Sequence, residues 1–450
     1  MNSSPNTTFS ELKKTVKLAI PLIFTQLLSH VQPVVDTVMA GREPPAVLAS
    51  VALGAQVFAL IYLFMIGVSL VITTQIARHH GAGDRLGIRR SFQQGVWLTA
   101  LLGVLTVLLT LAAAWVPQLI GSAPEMVEGA RAYILFIAPG AGLFVCALAA
   151  RYFLDGMSHP RTSILVQLGL IPVNIVGNYV LLKGVGPIPP MGAAGMAIAT
   201  SLCYALYALA MFHAVWRNPR WRGYRLFHRF AAPDWREIKT FFRIGLPIAL
   251  GIIMEAGLFV AITLIVSRSD AIFTGANQIA LNYAGLSFMV PLGLSYALTV
   301  RIGNARGEQN PMALRQRAVG GLYLTAIIMA LAALFVFVFA RFIVGLYTNN
   351  AAITPIAVNI LFIIGIFQLV DGVQVCASGI LRGLQDTKMP MFYALLGYWI
   401  IGFPCGLLLA YPLGYGIYGL WGGIVVGLTC NAILGVRRVL RMTQPPTAQA

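Results

Sequence analysis

Residues 16–27 read VKLAIPLIFTQL, and residues 242–253 read FRIGLPIALGII. Aligned on Pro21 and Pro247, the two stretches stand 226 positions apart (247 − 21). At the same offset, TTQIARHHG (73–81) lies over TVRIGNARG (299–307). FLDG (153–156) matches ILRG (380–383), and GAAG (192–195) matches GIYG (416–419), at nearly the same spacing. Four matches at a near-constant offset mark an internal duplication.

What is duplicated follows from composition. Of 450 residues, 58% are hydrophobic and 10% charged, against roughly 25% charged in soluble domains. Such a chain is built to dissolve in lipid. A helix needs roughly 20 apolar residues to cross the hydrocarbon core. Runs of that kind predict spans at 15–40, 51–77, 92–115, 130–153, 162–183, 192–215, 240–266, 274–300, 318–341, 353–378, 390–411 and 416–436. The first apolar stretch follows a polar start, MNSSPNTTFSELKK, and has no cleavage-site pattern of a signal peptide. It is expected to stay in the chain as a helix.

The net charge of +17 would suit nucleic acid if it were spread over a surface. Here Lys and Arg cluster between apolar runs, the pattern that keeps loops cytoplasmic. With the N-terminus inside, 26 of the 31 basic residues fall on one side; only Arg42, Arg131, Lys183, Arg268 and Arg341 fall on the other. Both termini are therefore expected in the cytoplasm, with no nucleic-acid partner. Six spans per half start each copy on the same side, which makes a parallel repeat about an axis along the membrane normal. The expected fold is all-α and integral to the membrane: an N-lobe (1–215), a basic, aromatic cytoplasmic linker (216–239) and a C-lobe (240–450). That linker reads either as a strap along the anionic inner leaflet or as a solvated connection. The five Cys all fall in apolar segments without metal-ligand spacing, and they read as packing residues.

Three of the 14 acidic residues lie within apolar spans: Asp36, Glu255 and Asp371. A charge at the bilayer centre costs at least ~2.5–3.5 kcal/mol on insertion scales, so these side chains should face the protein interior or a water-filled cavity. No Lys or Arg is expected deep enough in a span to pair with them. An unpaired buried carboxylate survives by binding a proton or a cation. A carboxyl bonded to a neighbouring helix is the purely structural alternative.

Polar neighbours extend the pattern. Gln368, Asp371 and Ser378 are spaced to share one helical stripe; Gln278 with Asn282 and Asn174 with Asn178 are i, i+4 pairs. Their oxygens suit a hard monovalent cation, and interhelical hydrogen bonding is the competing reading. Tyr283, Phe288, Phe367, Tyr398 and Trp399 offer ring faces to flat cationic compounds, although single aromatics more often pack. His30 stands alone, without HExxH, GxSxG or a second buried His, so an enzyme is not expected.

These motifs together resemble the multidrug and toxic compound extrusion (MATE) family, in its bacterial NorM-type branch. The carriers are VDTVMAG (35–41), the EAGLF segment at Glu255, NQIALN (277–282) with FMVP (288–291), TVRIGNARGE (299–308), and DGVQV followed by GILRGLQD (371–386). The resemblance covers about residues 10–440. It implies a V-shaped pair of six-helix lobes, monomeric in a bacterial inner membrane, exporting organic cations, fluoroquinolones and dyes against inward H⁺ or Na⁺. No cofactor beyond that ion is implied. Carried over by position, Asp36 with Asn174 and Asn178 matches the family's N-lobe cation or proton site. Glu255 and Asp371 match its C-lobe site, where Na⁺ is a candidate metal. Gln278, Asn282, Tyr283, Phe288, Phe367 and Tyr398 are the candidate substrate contacts. Phe288 and Phe367 replace Tyr found in some relatives, which removes two hydroxyls and favours H⁺. DRLGIRR (84–90) resembles a loop signature of major facilitator carriers, but His80 stands where that signature has Gly. A lipid-linked oligosaccharide flippase of the same broad superfamily would be expected to carry buried basic residues for an anionic head group.

Overall fold

The computed structural model describes residues 5–444 apart from 120, 122, 188 and 269. Among the described residues, twelve helices are long and apolar enough to cross a membrane: α1 (Ser10–Ala40), α2 (Pro45–Gly81), α3 (Arg85–Leu119), α4 (Met126–Gly156), α5 (Arg161–Lys183), α6 (Gly192–Arg217), α7 (Trp235–Val266), α8 (Ile272–Gly307), α9 (Pro311–Gly345), α10 (Ile353–Gly383), α11 (Lys388–Ala410) and α12 (Gly416–Met442). Each corresponds to one expected span. Most run past the apolar stretch at the end carrying basic residues, because a helix satisfies its own backbone hydrogen bonds in lipid and in water alike.

The chain divides into two compact units. One is Leu27–Ala249, and the other joins Leu250–Ala450 to Met1–Gln26. Their interiors repeat each other contact by contact. In the first, a Cβ added to Gly67 would stand 2.4 Å from the Cα of Ala249; in the second, a Cβ on Gly293 would stand 2.5 Å from the Cα of Ile23. Both pairs are related by the 226-residue offset (293 − 67; 249 − 23). Glycine lets the two backbones touch there. Thr73 donates its hydroxyl to the Tyr152 carbonyl at 3.4 Å, and its counterpart Thr299 to the Gly379 carbonyl at 2.8 Å. Asp84 caps α3 by accepting from the Gly87 amide, as Asn310 caps α9 by accepting from Ala313. Glu237 pairs with Arg90 in the first unit, and Glu11 with Arg317 in the second. The duplication seen in four short motifs is thus a duplication of packing.

Segment 216–239 is fastened to the first unit. A short 3₁₀ turn (Pro219–Tyr224) buries Trp221 against Phe153, ring centroids 5.3 Å apart. Side chains of α3 then hold the following backbone: Gln93 donates to the Leu226 carbonyl (2.8 Å), Trp97 to Ala231 (2.9 Å) and Gln94 to Ala232 (3.0 Å). Arg217, Arg220, Arg222, Arg225 and Arg229 stay exposed along it.

α11 is irregular. Its middle, Leu395–Gly402, is wound as a π-helix. Gly397 faces the Gly427 carbonyl of α12, 2.6 Å from where a Cβ would sit. The wide turn brings Tyr398 inward to 1% exposure. Such turns occur often at functional sites.

Candidate functional site: two buried carboxylate clusters

In the first unit, Asp36 ends the apolar part of α1 and faces α5. Asn178 donates its amide to Asp36 Oδ1 at 2.6 Å and to Asn174 Oδ1 at 3.2 Å. Asn174 reaches Thr200 Oγ1 on α6 at 3.5 Å. Asn174 and Asn178 are 2% and 0% exposed, so the expected i, i+4 pair points inward, onto the carboxylate. Thr200 also faces Asp36, and the hydroxyls of Tyr133 and Tyr204 lie within its electrostatic reach. The sequence reading missed these three residues; each sits in an apolar run where nothing marks it out. Asn178 Oδ1 has no hydrogen-bond partner among the described residues, leaving an acceptor oxygen beside the carboxylate.

In the second unit, Glu255 on α7 and Asp371 on α10 lie within each other's field. The Tyr398 hydroxyl is directed at Glu255 and at Asn431 of α12. Asp371 is buried, as is Gln368 one turn earlier, whose Oε1 accepts from Ser287 of α8 at 2.7 Å. Ser378 continues the stripe but is only half-buried. Buried Gln368 Nε2 has no hydrogen-bond partner among the described residues. Two acids, an amide and a hydroxyl suit one proton or one monovalent cation. Among the described residues no group of three or more His, Cys, Asp or Glu could hold a metal ion.

The candidate substrate contacts are dispersed. Gln278 and Asn282 occupy the exposed face of α8, whereas Asn277, one position away, is buried and accepts from Trp421 Nε1 at 3.1 Å. Phe367 is packed edge-on against Phe259 and Trp421, centroids 6.0 and 6.1 Å away. Tyr283 and Phe288 are half-buried. Trp399 donates to the Met254 carbonyl at 3.1 Å, next to Glu255 in sequence. His30 lies on an exposed helix face and not in the packed interior.

One expectation is corrected. Two arginines do lie buried within spans: Arg151 in α4 and Arg382 in α10, 5% and 8% exposed. Arg382 donates to Ser295 Oγ at 2.5 Å and lies 5.7 Å from the Tyr296 ring centroid; its charge also reaches Glu255. Both stand near helix ends, which read as loop-facing in sequence, but neighbouring helices run equally far and enclose them. Buried basic residues therefore do not separate an exporter from a flippase here.

A duplicated bundle of twelve membrane-crossing helices, with a carboxylate cluster inside each unit, defines a multi-pass membrane transporter. The MatE family profile matches residues 21–180 and 247–408, and the chain belongs to that family; it is a secondary transporter, not an enzyme. It is 34% identical over 452 residues to the "Probable multidrug resistance protein NorM" of Xanthomonas campestris pv. campestris, covering 100% of this chain and 99% of that protein. It is 32% identical over 443 residues to the "Multidrug resistance protein MdtK" of Yersinia pseudotuberculosis, covering 97% of each. Among solved structures, a MATE transporter in the straight conformation superposes with a TM-score of 0.87 at 22% identity over 96% of both chains. A eukaryotic MATE transporter gives 0.85 at 20% identity, again over 96% of both.

Proposed function

We propose that this multidrug transporter of the MATE family expels cationic and amphipathic drugs, such as fluoroquinolones, dyes and organic cations, across a bacterial inner membrane in exchange for inward H⁺ or Na⁺. The observation that carries the reading is one carboxylate cluster inside each unit: half-buried Asp36 against the buried Asn174 and Asn178, and half-buried Glu255 with buried Asp371. Glu255 and Asp371 in one, and Asp36 with Asn174 and Asn178 in the other, are the coupling residues. Ion binding there biases the protein between inward- and outward-facing states, so that drug leaves as the ion enters; this requires different ion affinities in the two states. Phenylalanine at 367, where some relatives carry a tyrosine close to this site, favours a proton over Na⁺ at the second cluster, since a hydroxyl there would add an oxygen ligand. The clustering of basic residues on one side of the spans supports cytoplasmic termini.

Efflux of ethidium or norfloxacin from proteoliposomes under an imposed ΔpH or ΔNa⁺ tests the reading. A ΔpH alone should drive efflux. Wild-type pumping by both Asp371→Asn and Glu255→Gln would sink the assignment of the second cluster.

A further inference from the structure

The first unit holds a second buried polar cluster, at the C-terminal end of α4, which the coupling reading leaves unused. Arg151 and Asp155 lie one turn apart on α4 with side chains 6% and 4% exposed, and Arg151 Nε stands 4.0 Å from Asp155 Oδ2. That is too long for a hydrogen bond and is the span a bridging water fills. Two oxygens here are buried without a hydrogen-bond partner among the described residues: Asp155 Oδ1 and Gln167 Oε1. Tyr207 and Asp155 are each 3% exposed, and the Tyr207 hydroxyl is directed toward Arg151 and Gln167. Unmatched oxygens beside an ion pair are costly if dry, and water satisfies them. In the second unit the position matching Asp155 is Arg382 (382 − 155 = 227), so this pair belongs to the first unit alone.

The cluster is continuous with the Asp36 site. On α5, Ser163, Gln167, Asn174 and Asn178 fall at i, i+4, i+11 and i+15, one helical stripe. On the adjoining α6, Thr200, Tyr204 and Tyr207 fall at i, i+4 and i+7, also one stripe. Asn174 and Thr200 meet at the Asp36 end; Gln167 and Tyr207 meet at the Asp155 end. From Asn178 to Ser163 the stripe is about 22 Å long, at ~1.5 Å per residue. Phe144 stacks on Tyr207 at 5.3 Å and contacts Tyr204 at 4.8 Å and Tyr62 at 5.5 Å, so one ring of α4 holds the tyrosines of α6 and α2 together.

We propose that these facing stripes form a hydrated proton path between Asp36 and the cytoplasm, with Asp155 and Arg151 as its inner station. This rests on the reading that Asp36 exchanges a proton. A proton bound by the Asp36 carboxylate from outside passes inward by relay. Each hydroxyl or water hands its own proton on and takes one from its neighbour, so one proton leaves at the Asp155 end for each that arrives. The charged and titratable groups around that station are Arg151 and Tyr152 on α4, Tyr62 on α2 and Tyr207 on α6. The guanidinium fixes the carboxylate and the water beside it.

The test compares ΔpH-driven ethidium efflux with ethidium counterflow at equal pH, which moves drug without net proton transfer. Tyr207→Phe removes one oxygen and keeps the ring; Gln167→Leu and Asp155→Asn complete the set, and Asp36→Asn is the control. Tyr207→Phe and Gln167→Leu should slow ΔpH-driven efflux about tenfold or more, the scale of one lost hydrogen bond to a charged relay. Counterflow and the ethidium Kd should stay within about twofold, since no drug contact is touched. Wild-type ΔpH-driven efflux in these variants, with Asp36→Asn stalled, overturns the path and leaves the coupling reading standing. Equal losses in efflux and counterflow make the cluster structural and also overturn it. Wild-type efflux in Asp36→Asn removes the coupling role itself, and the path with it. Hydroxyl-radical footprinting adds an independent readout: Tyr207 should be labelled despite its burial, and an unlabelled Tyr207 contradicts a hydrated path.

Discussion

Asn178 of α5 donates its side-chain amide to Asp36 of α1 at 2.6 Å, across 142 positions of sequence. The bond orients the carboxylate and leaves the amide oxygen beside it. A hydrogen bond to a charged group contributes about 1.5–3 kcal/mol. Asn178→Ala should therefore slow ΔpH-driven efflux by about tenfold or more, with ethidium binding largely retained. Rates equal to wild type would show that the amide does not tune Asp36.

The paired glycines make a second prediction. A β-carbon at Gly67 or Gly293 meets backbone, which cannot move aside as a side chain can. Gly67→Val and Gly293→Val should each cost about 1–3 kcal/mol through overpacking, read as a lower thermal midpoint in detergent. Gly251→Val, with open space around it, is the control and should be near neutral. Equal losses at all three would refute the close-approach argument.

Two related ion pairs should differ in worth. Glu11 is 16% exposed and is held by Arg301 and Arg317, at 11% and 12%. Glu237 at 18% is held by Arg90, which is 62% exposed. Removing one partner of an enclosed pair strands the other charges, whereas an exposed pair is worth only about 0–1 kcal/mol. Glu11→Ala should thus lower the thermal midpoint clearly more than Glu237→Ala. The reverse order would contradict it.

Asp84 predicts a pH dependence outside the membrane. The Gly87 amide is the largest influence holding its carboxyl below the ordinary 3.8; burial, next in size, opposes it, and His79 assists. A folded pKa below the unfolded one means the stabilisation is present above about pH 4 and lost as pH falls through the lower, folded value. Asp84→Ala should cost about 1 kcal/mol at neutral pH, a typical N-cap loss. The difference from wild type should shrink in acid; a difference constant from pH 7 to pH 3 would exclude a charge-dependent cap.

The candidate site was legible in part. Asp36, Glu255 and Asp371 stand out because a carboxylate in an apolar run is costly, and Asn174 with Asn178 because they recur at helical spacing. Gln278 and Asn282 show the same spacing yet face outward, while Asn277 is the buried amide. One residue is about 100° of helical rotation, and a helix apolar on every side does not announce which face its neighbours cover. Tyr398 owes its position to a π-wound segment that α-helical spacing could not foresee. Arg151, Asp155 and Arg382 looked like loop-facing charges, since hydropathy cannot tell that neighbouring helices extend equally far.

The sequence by itself determined the twelve spans, the duplication and the three anomalous acids, because lipid penalises charge and unsatisfied backbone at every position independently of partners. Tertiary structure alone decided that Asn178 meets Asp36, that Tyr398 faces Glu255, and that Gln167, Tyr207 and Asp155 converge. Those relationships depend on the rotation of each helix against its neighbours. Rotation is set by close packing among many small side chains, Gly67 against Ala249 and Gly293 against Ile23 among them, and no single residue type records it.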